Sequence, residues 1–561
     1  MKRRSILLLL ILLLCLLVLP GCYGLEEIFA PSTKTTRVKT TADKDSTQVV
    51  TTQVTTTGNA TTQIKTQIYS NTTVIITTTE NGITSTVVET TTSTNLVNAY
   101  KIEDVSYTYH DLGIDNEFYT WRYVNSIGNQ KILVIPVVIQ EYLDAATNET
   151  LDMINEVMFG DPNDNKLYWE SLSSFYYKSS YGKLSISGEV TNFMDNNYNL
   201  ATFKTPNNND DDALQTLFDD FDYFLTSEGI DPNEYDSDDD GYVDMVFFIY
   251  CGEHSTRYNH LDDNYWAYCT SADKEPNHET PTLNNYIWAS YDFMFESPAY
   301  NITKKLDAHT YIHEYGHAMG LDDYYNSSSD NYEDKDAVGS NIMMSANICD
   351  HDAYSKFSLG WINPYVVTGD TSITINPITT SGDAIVLPIG DFEDNAFSQY
   401  IIFEYYTPDG LNQKDVLTLY GGTSGISGSG IKAYYIDSRL FYSDNDENTT
   451  IIDVPSRYDS SKYSGLALAF SNNYEYSLLN EFNGTGVRPT EDDALFLIQL
   501  IDASTNTLYY DDNEASTSQL FTTTNTLDTS RLNLHLSARL NYLVTFKYNL
   551  DGTYTITFNK K

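Results

Sequence analysis

The sequence predicts an α+β chain whose C-terminal part is an antiparallel β-sandwich and whose N-terminal part is an unordered stalk. Three observations predict it. Between residues 100 and 367, apolar strand-like runs alternate with segments of helical spacing. Beyond residue 367, short alternating strands recur at 372–375, 400–405, 431–436, 494–500 and 542–546, separated by turns rich in Asn, Asp, Ser and Gly. Residues 23–99 are dominated by Thr, with few aromatic or Leu residues, too little apolar surface to offset the entropy of ordering. β-branched stretches there, such as 72–76 (TTVII), favour extended backbone and could pair weakly.

In the first folded part, 131–139 (KILVIPVVI) reads as a buried strand, although Pro136 argues against a central position. Residues 167–181 have helical apolar spacing, 183–190 (KLSISGEV) alternate as a strand does, and 243–250 (VDMVFFIY) form a second apolar strand. Residues 304–319 read as a helix closed by Gly320, the residue type that most easily takes the left-handed conformation just past a helix end.

Ahead of the stalk, residues 1–22 read as a targeting signal. Lys2, Arg3 and Arg4 precede an apolar run at 5–19, shorter than the ~20 residues a spanning helix needs. The run ends in Leu19-Pro20-Gly21-Cys22, which resembles the bacterial lipoprotein cleavage motif with Cys22 as the lipidated residue. The domains are thus a signal at 1–22, a stalk at 23–99, a mixed domain at 100–367 and a β-rich region at 368–561. The expected location is the outer face of the cell membrane through a lipid anchor, with plain secretion the alternative because Pro20 departs from the motif. Lys and Arg total 32 against 78 for Asp and Glu, a net charge of -46 that repels phosphate backbones and argues against nucleic acid as a partner. With Cys22 lipidated, Cys251, Cys269 and Cys349 remain; three thiols make no disulfide framework, and nothing selects a pair for one bridge.

The chemistry lies in His313-Glu314-Tyr315-Gly316-His317. On a helix, His313 and His317 share a face, so both imidazoles can reach one zinc ion, and Glu314 stands next to them as the general base of a hydrolase. Gly320 and Asp323 follow at intervals of three, giving HExxHxxGxxD. That spacing resembles the metzincins, which implies Asp323 as third ligand, with Asp322 a rival carboxylate beside it. The same resemblance implies a Met-containing turn, assigned to Met344 with Met343 as fallback. His309 shares the helix face, but Thr310 follows it where a base would be needed, so it reads as a packed or supporting residue.

The segment HEYGHAMGLDDYY at 313–325 resembles the active-site segment of the immune-inhibitor-A-like bacterial zinc metallopeptidases. Segments similar to others of that family follow its order: 175–190 (FYYKSSYGKLSISGEV), 236–244 (DSDDDGYVD), 353–361 (AYSKFSLGW) and 430–437 (GIKAYYID). The resemblance implies a metzincin-like peptidase domain and a secreted endopeptidase of broad protein specificity, with zinc on His313, His317 and Asp323.

Asp236, Asp238, Asp240 and Asp244 take positions 1, 3, 5 and 9 of a loop with Gly241 at position 6, a spacing that suits a structural Ca²⁺. Position 12 is Phe247, so the loop is no EF-hand. The expected function is a monomeric extracellular zinc endopeptidase acting on proteins or peptides. The rivals are a stalked adhesin or glycan-binding β protein with a vestigial peptidase site, and a zinc hydrolase of non-peptide amides. The adhesin separates from the first on Glu314, which it does not need; against the amide hydrolase stands the metzincin resemblance, which implies peptides as substrates.

Overall fold

The structure is a computed structural model that describes residues 49–55, 61–68, 72–80, 83–91, 98–112, 124–198, 212–254, 266–272, 274–297, 300–325, 336–443, 449–452, 467–472, 495–535 and 538–561. The chain divides into two compact units, Met1–Leu96 and Val97–Lys561.

In the first unit, Val49–Thr55, Thr61–Ile68, Thr72–Glu80 and Ile83–Thr91 form an antiparallel meander in chain order. The stretch 72–76 lies in the third of these strands. The weak pairing expected of 72–76 extends over all four strands, because Thr, Val and Ile favour extended backbone even where they are too few to make a core. The signal and Cys22 lie outside the described residues.

The second unit is mixed α/β. A five-stranded sheet runs Tyr268–Ser271, Asn285–Ser290, Val246–Cys251, Gly128–Val138, Leu184–Val190; all neighbours are parallel except the antiparallel edge strand Tyr268–Ser271. Gly128–Val138 is an internal strand after all. Pairing with Leu184–Val190 ends at Val134, so the N–H that Pro136 lacks removes no bond to that strand. The sheet packs one face against Asp212–Glu228, where Phe221 meets Phe248 and Phe218 meets Tyr286. Phe247, on the other face, stacks on Tyr315 of the helix His309–Ala318.

That helix starts five residues later than the apolar spacing of 304–319 suggests. Leu306 bridges Leu167 instead, and Asp307 accepts the His309 N–H at 2.9 Å, which fixes the helix start there.

A seven-stranded sheet runs Thr507–Leu508, Ile498–Asp502, Gly430–Asp437, Gln399–Tyr406, Ala384–Pro388, Tyr365–Val367, Ala99–Lys101. Against it lies a four-stranded antiparallel sheet of Thr371–Ile375, Tyr554–Lys560, Tyr542–Tyr548 and Thr526–Asp528. Phe403 of the larger sheet meets Phe558 and Phe546 of the smaller at 5.5 and 6.4 Å between ring centres. Around Phe403 lie the buried side chains of Ile373, Val544, Ile556 and Phe558, the interior between the two sheets. One hydrophobic cluster runs from Ile102 through Tyr354, Val366 and Tyr400 to Leu520, so the β-rich strands and the helical part share an interior.

Candidate metal centre

The helix His309–Ala318 is buried on nearly every side, so its orientation is set by what it packs against. Tyr311 Oη donates to the Ser290 carbonyl at 2.6 Å and Tyr176 Oη to the Ile312 carbonyl at 2.5 Å. The Val124 N–H binds the Ala318 carbonyl at the other end. These bonds hold the helix to the end of a sheet strand at one end and to the 124 segment at the other.

On this helix His313 Nε2 and His317 Nε2 lie 3.1 Å apart. Asp323 Oδ1 lies 3.1 Å from the first and 3.3 Å from the second. The other ring nitrogens are committed: His313 Nδ1 donates to the Met343 carbonyl at 3.0 Å and His317 Nδ1 to the Leu321 carbonyl at 2.8 Å. A carbonyl can only accept, so each Nδ1 carries a proton and each Nε2 is turned inward. Burial would lower the His317 pKa, but the Asp323 charge outweighs it and raises the imidazole to about 10; a bound cation would take the place of the proton that these three atoms share. Zinc–ligand bonds of 2.0–2.2 Å at tetrahedral angles separate ligand atoms by about 3.3–3.5 Å, within a few tenths of what is found. Nitrogen and oxygen donors in a threefold set suit zinc and leave a fourth position for substrate or water. Burial would raise the Asp323 pKa, but His317 and His313 outweigh it and hold the carboxyl below the usual carboxylate range.

Asp323 is brought round by the helix end. Gly320 has φ 104°, and a Cβ there would lie 2.6 Å from Tyr109 Cγ, so both conformation and space require glycine. Of the two adjacent carboxylates, Asp323 faces the imidazoles. Asp322 accepts the Asp323 N–H at 2.9 Å and a hydrogen bond from Ser471, and burial pushes its pKa up to about 6. Beneath the helix, a Cβ on Gly316 would lie 2.6 Å from Met344 Sδ, so Gly316 is the notch into which Met344 fits. Met343 serves through its carbonyl, which orients His313.

Glu314 is buried beside these ligands, and burial raises its pKa above the ordinary glutamate value. Cys269, on the edge strand Tyr268–Ser271, is close enough for Glu314's charge to raise its thiol pKa, after burial has done most of that. Cys251, Cys269 and Cys349 are all free thiols. His309 does not join the metal centre. Its ring stacks between Trp169 and Tyr420, with Nδ1 2.8 Å from Asp307 and Nε2 3.3 Å from Asp415. Burial opposes its charge, but the two carboxylates outweigh that and raise the imidazole to about 10.

The acidic loop gathers Asp236, Asp238 and Asp244, whose carboxylate oxygens lie within 4.8 Å of one another. Asp240 is not one of that group; its Oδ1 accepts the Tyr242 N–H at 2.9 Å. Asp244 is pushed up to about 6 by burial, and its Oδ2 has no hydrogen-bond partner. Asp238 and Asp244 line a pocket together with Asp240 and with Asn284, which is 3% exposed and whose Oδ1 is likewise unpartnered. Asn284 is an oxygen donor that loop spacing could not reveal, because it comes from another part of the chain.

Other supporting residues were equally invisible in the motif. Asp336 accepts from the N–H groups of Val338, Gly339 and Ser340 and from the hydroxyls of Ser340 and Ser345, tying the approach to the Met344 turn. Lys432 and Glu404, register partners on adjacent strands, grip either side of that turn: Lys432 Nζ donates to Asn341 Oδ1 at 2.8 Å, and Glu404 accepts the Ala353 N–H at 2.7 Å. Compared with known proteins, the chain matches no family model and no curated protein.

Proposed function

We propose that this chain is an exported zinc endopeptidase with a metzincin-like catalytic part, akin to the immune-inhibitor-A-like peptidases, and a C-terminal β-sandwich. One observation carries the reading: two imidazole nitrogens and an ionised carboxylate converge at 3.1–3.3 Å, with Glu314 alongside. His313, His317 and Asp323 would hold the zinc. Zinc in such a site polarises the scissile carbonyl and acidifies water. Glu314 accepts the proton of the attacking water and delivers it to the leaving amine; its raised pKa brings it nearer the working pH for that exchange. The edge strand Tyr268–Ser271 runs past the same glutamate, so an extended peptide laid along that edge brings its backbone to Glu314. Asp236, Asp238, Asp244 and Asn284 would hold a structural Ca²⁺, with no part in the chemistry. Lipidation at Cys22 would keep the mature protein, as a monomer, on the outer face of the membrane.

The test is casein digestion by the mature chain, with and without a zinc chelator, beside Glu314→Gln. The chelator should abolish digestion. The variant should keep its zinc and lose about 10²–10⁴ in turnover. Digestion by Glu314→Gln at the wild-type rate would end the proposal.

A further inference from the structure

The third ligand sits on a loop, and a loop must be held by something. Within the segment 321–325, Asp323 directs its carboxylate at the two imidazoles, and its own N–H goes to Asp322. The next residue, Tyr324, is fixed at three points. Its N–H donates to the Met344 carbonyl at 2.8 Å, its hydroxyl meets Ser355 Oγ at 2.9 Å, and its carbonyl accepts from Asn472 Nδ2 at 3.0 Å. The first two contacts come from the neighbouring turn and helix. The third comes from 148 residues further along the chain.

Asn472 is 1% exposed, and both ends of its amide are used. Nδ2 also donates to the Ile498 carbonyl at 2.9 Å, and Oδ1 accepts the Ile498 N–H at 3.0 Å. The side chain therefore binds the peptide of Ile498, in the strand Ile498–Asp502 of the seven-stranded sheet, and passes that anchorage to Tyr324. Ser471, its chain neighbour, binds the Asp322 carboxylate. Two consecutive residues thus flank Asp323, one holding the residue before it and one the residue after.

We propose that Asn472 is a positioning residue for the metal centre: by holding the Tyr324 carbonyl it places Asp323, and so sets how tightly the site keeps its metal. The β-rich part of the chain is then a scaffold of the site as well as a neighbour of it. This rests on the reading of His313, His317 and Asp323 as zinc ligands. A buried amide fits the task because it offers donors and an acceptor in one rigid plane, and every one of those contacts is made. Partners that orient a metal's ligands typically change affinity 10–100-fold when removed.

The experiment measures zinc affinity by chelator competition in the mature chain, together with the visible spectrum of the cobalt(II)-substituted protein and the melting temperature of the metal-free protein. Wild type, His313→Ala, Asn472→Asp and Ser471→Ala are compared. Asn472→Asp keeps the acceptor for Ile498 and loses the donor for Tyr324; Ser471→Ala tests the other flank should Asn472→Asp fail to fold. Expected are no measurable zinc in His313→Ala, and zinc held about 10–100-fold more weakly in Asn472→Asp with shifted cobalt bands. In Ser471→Ala the same change should appear, smaller in size. A lower melting temperature with unchanged zinc affinity and unchanged cobalt bands, in whichever of the two variants folds, would make the pair a packing feature and overturn the positioning role. Wild type that takes up no zinc, or His313→Ala that holds it as wild type does, would overturn the reading of the centre itself, and the positioning role with it.

Discussion

Among the described residues, the two clusters that could hold a cation are built in opposite ways. At the His313 centre, two nitrogens come from one helix turn and one oxygen from a loop; His313 is oriented by the Met343 carbonyl, His317 by the nearby Leu321 carbonyl, and the loop carrying Asp323 is held at Tyr324 by Met344 and Asn472. At the acidic loop the carboxylates belong to one short stretch, and several of their oxygens accept that stretch's own N–H groups: Asp236 takes Asp240 and Gly241, and Asp244 takes Ser237. The first is buried and poor in ligands, as a reactive zinc site must be if a position is to stay open. The second is partly exposed and all oxygen, as a calcium site that only stiffens its loop can be. The difference between the two lies in how much of the remaining chain is committed to aiming the candidate ligands.

Substitutions at the two clusters should differ accordingly. The largest effect on folding is expected beneath the first. Gly316→Ala puts a Cβ 2.6 Å from Met344 Sδ. Overpacking of this kind costs about 1–3 kcal/mol, against a gain of about 1 kcal/mol from helix propensity. Chemical denaturation of the metal-free protein should show a net loss of up to about 2 kcal/mol; a net gain would mean that Met344 does not fill the notch.

A smaller effect is expected at the acidic loop. Millimolar Ca²⁺ should raise the melting temperature of wild type, since a ligand that binds only the native state stabilises it. The gain should vanish in Asp236→Ala/Asp238→Ala; an equal rise in both would mean general screening of an acidic surface. The gain should also depend on pH. The Asp244 pKa is raised to about 6 by burial, so the folded state keeps a proton that the unfolded chain has released. Without cation, the stability this gives is full below the ordinary Asp pKa and is lost as pH rises through about 6. Calcium replaces that proton, so its stabilisation should be greater at pH 7.5 than at pH 5, and the reverse order would remove Asp244 from the site.

The smallest effect is kinetic. Burial raises the Glu314 pKa, so the acid limb of the rate profile should lie above the ordinary glutamate value of about 4.3. A limb at or below that value would assign it to another group.

The sequence made the candidate ligands legible and left their supports hidden. His313 and His317 declare themselves by helical spacing, Gly320 by the need for a reversal, and Asp323 by its register with them. Asn472, Lys432, Glu404 and Asp336 have no local pattern, because each acts across a tertiary contact. The strands failed in the same way at Pro136, where the sequence shows the missing donor but not that its partner strand has already ended. The strand pattern changes at residue 367. Burial runs straight across it, from Trp361 and Val366 to Ile378 and Ala384.

The central claim is that Asp323, and not Asp322, completes the zinc centre, and metal analysis of three purified proteins tests it most directly. Wild type should carry one zinc, Asp322→Ala should keep most of it, and Asp323→Ala should lose it together with activity on casein. Asp323→His should retain part, since an imidazole can ligate from the same position. Zinc lost from Asp322→Ala and kept by Asp323→Ala would contradict the assignment of the third ligand.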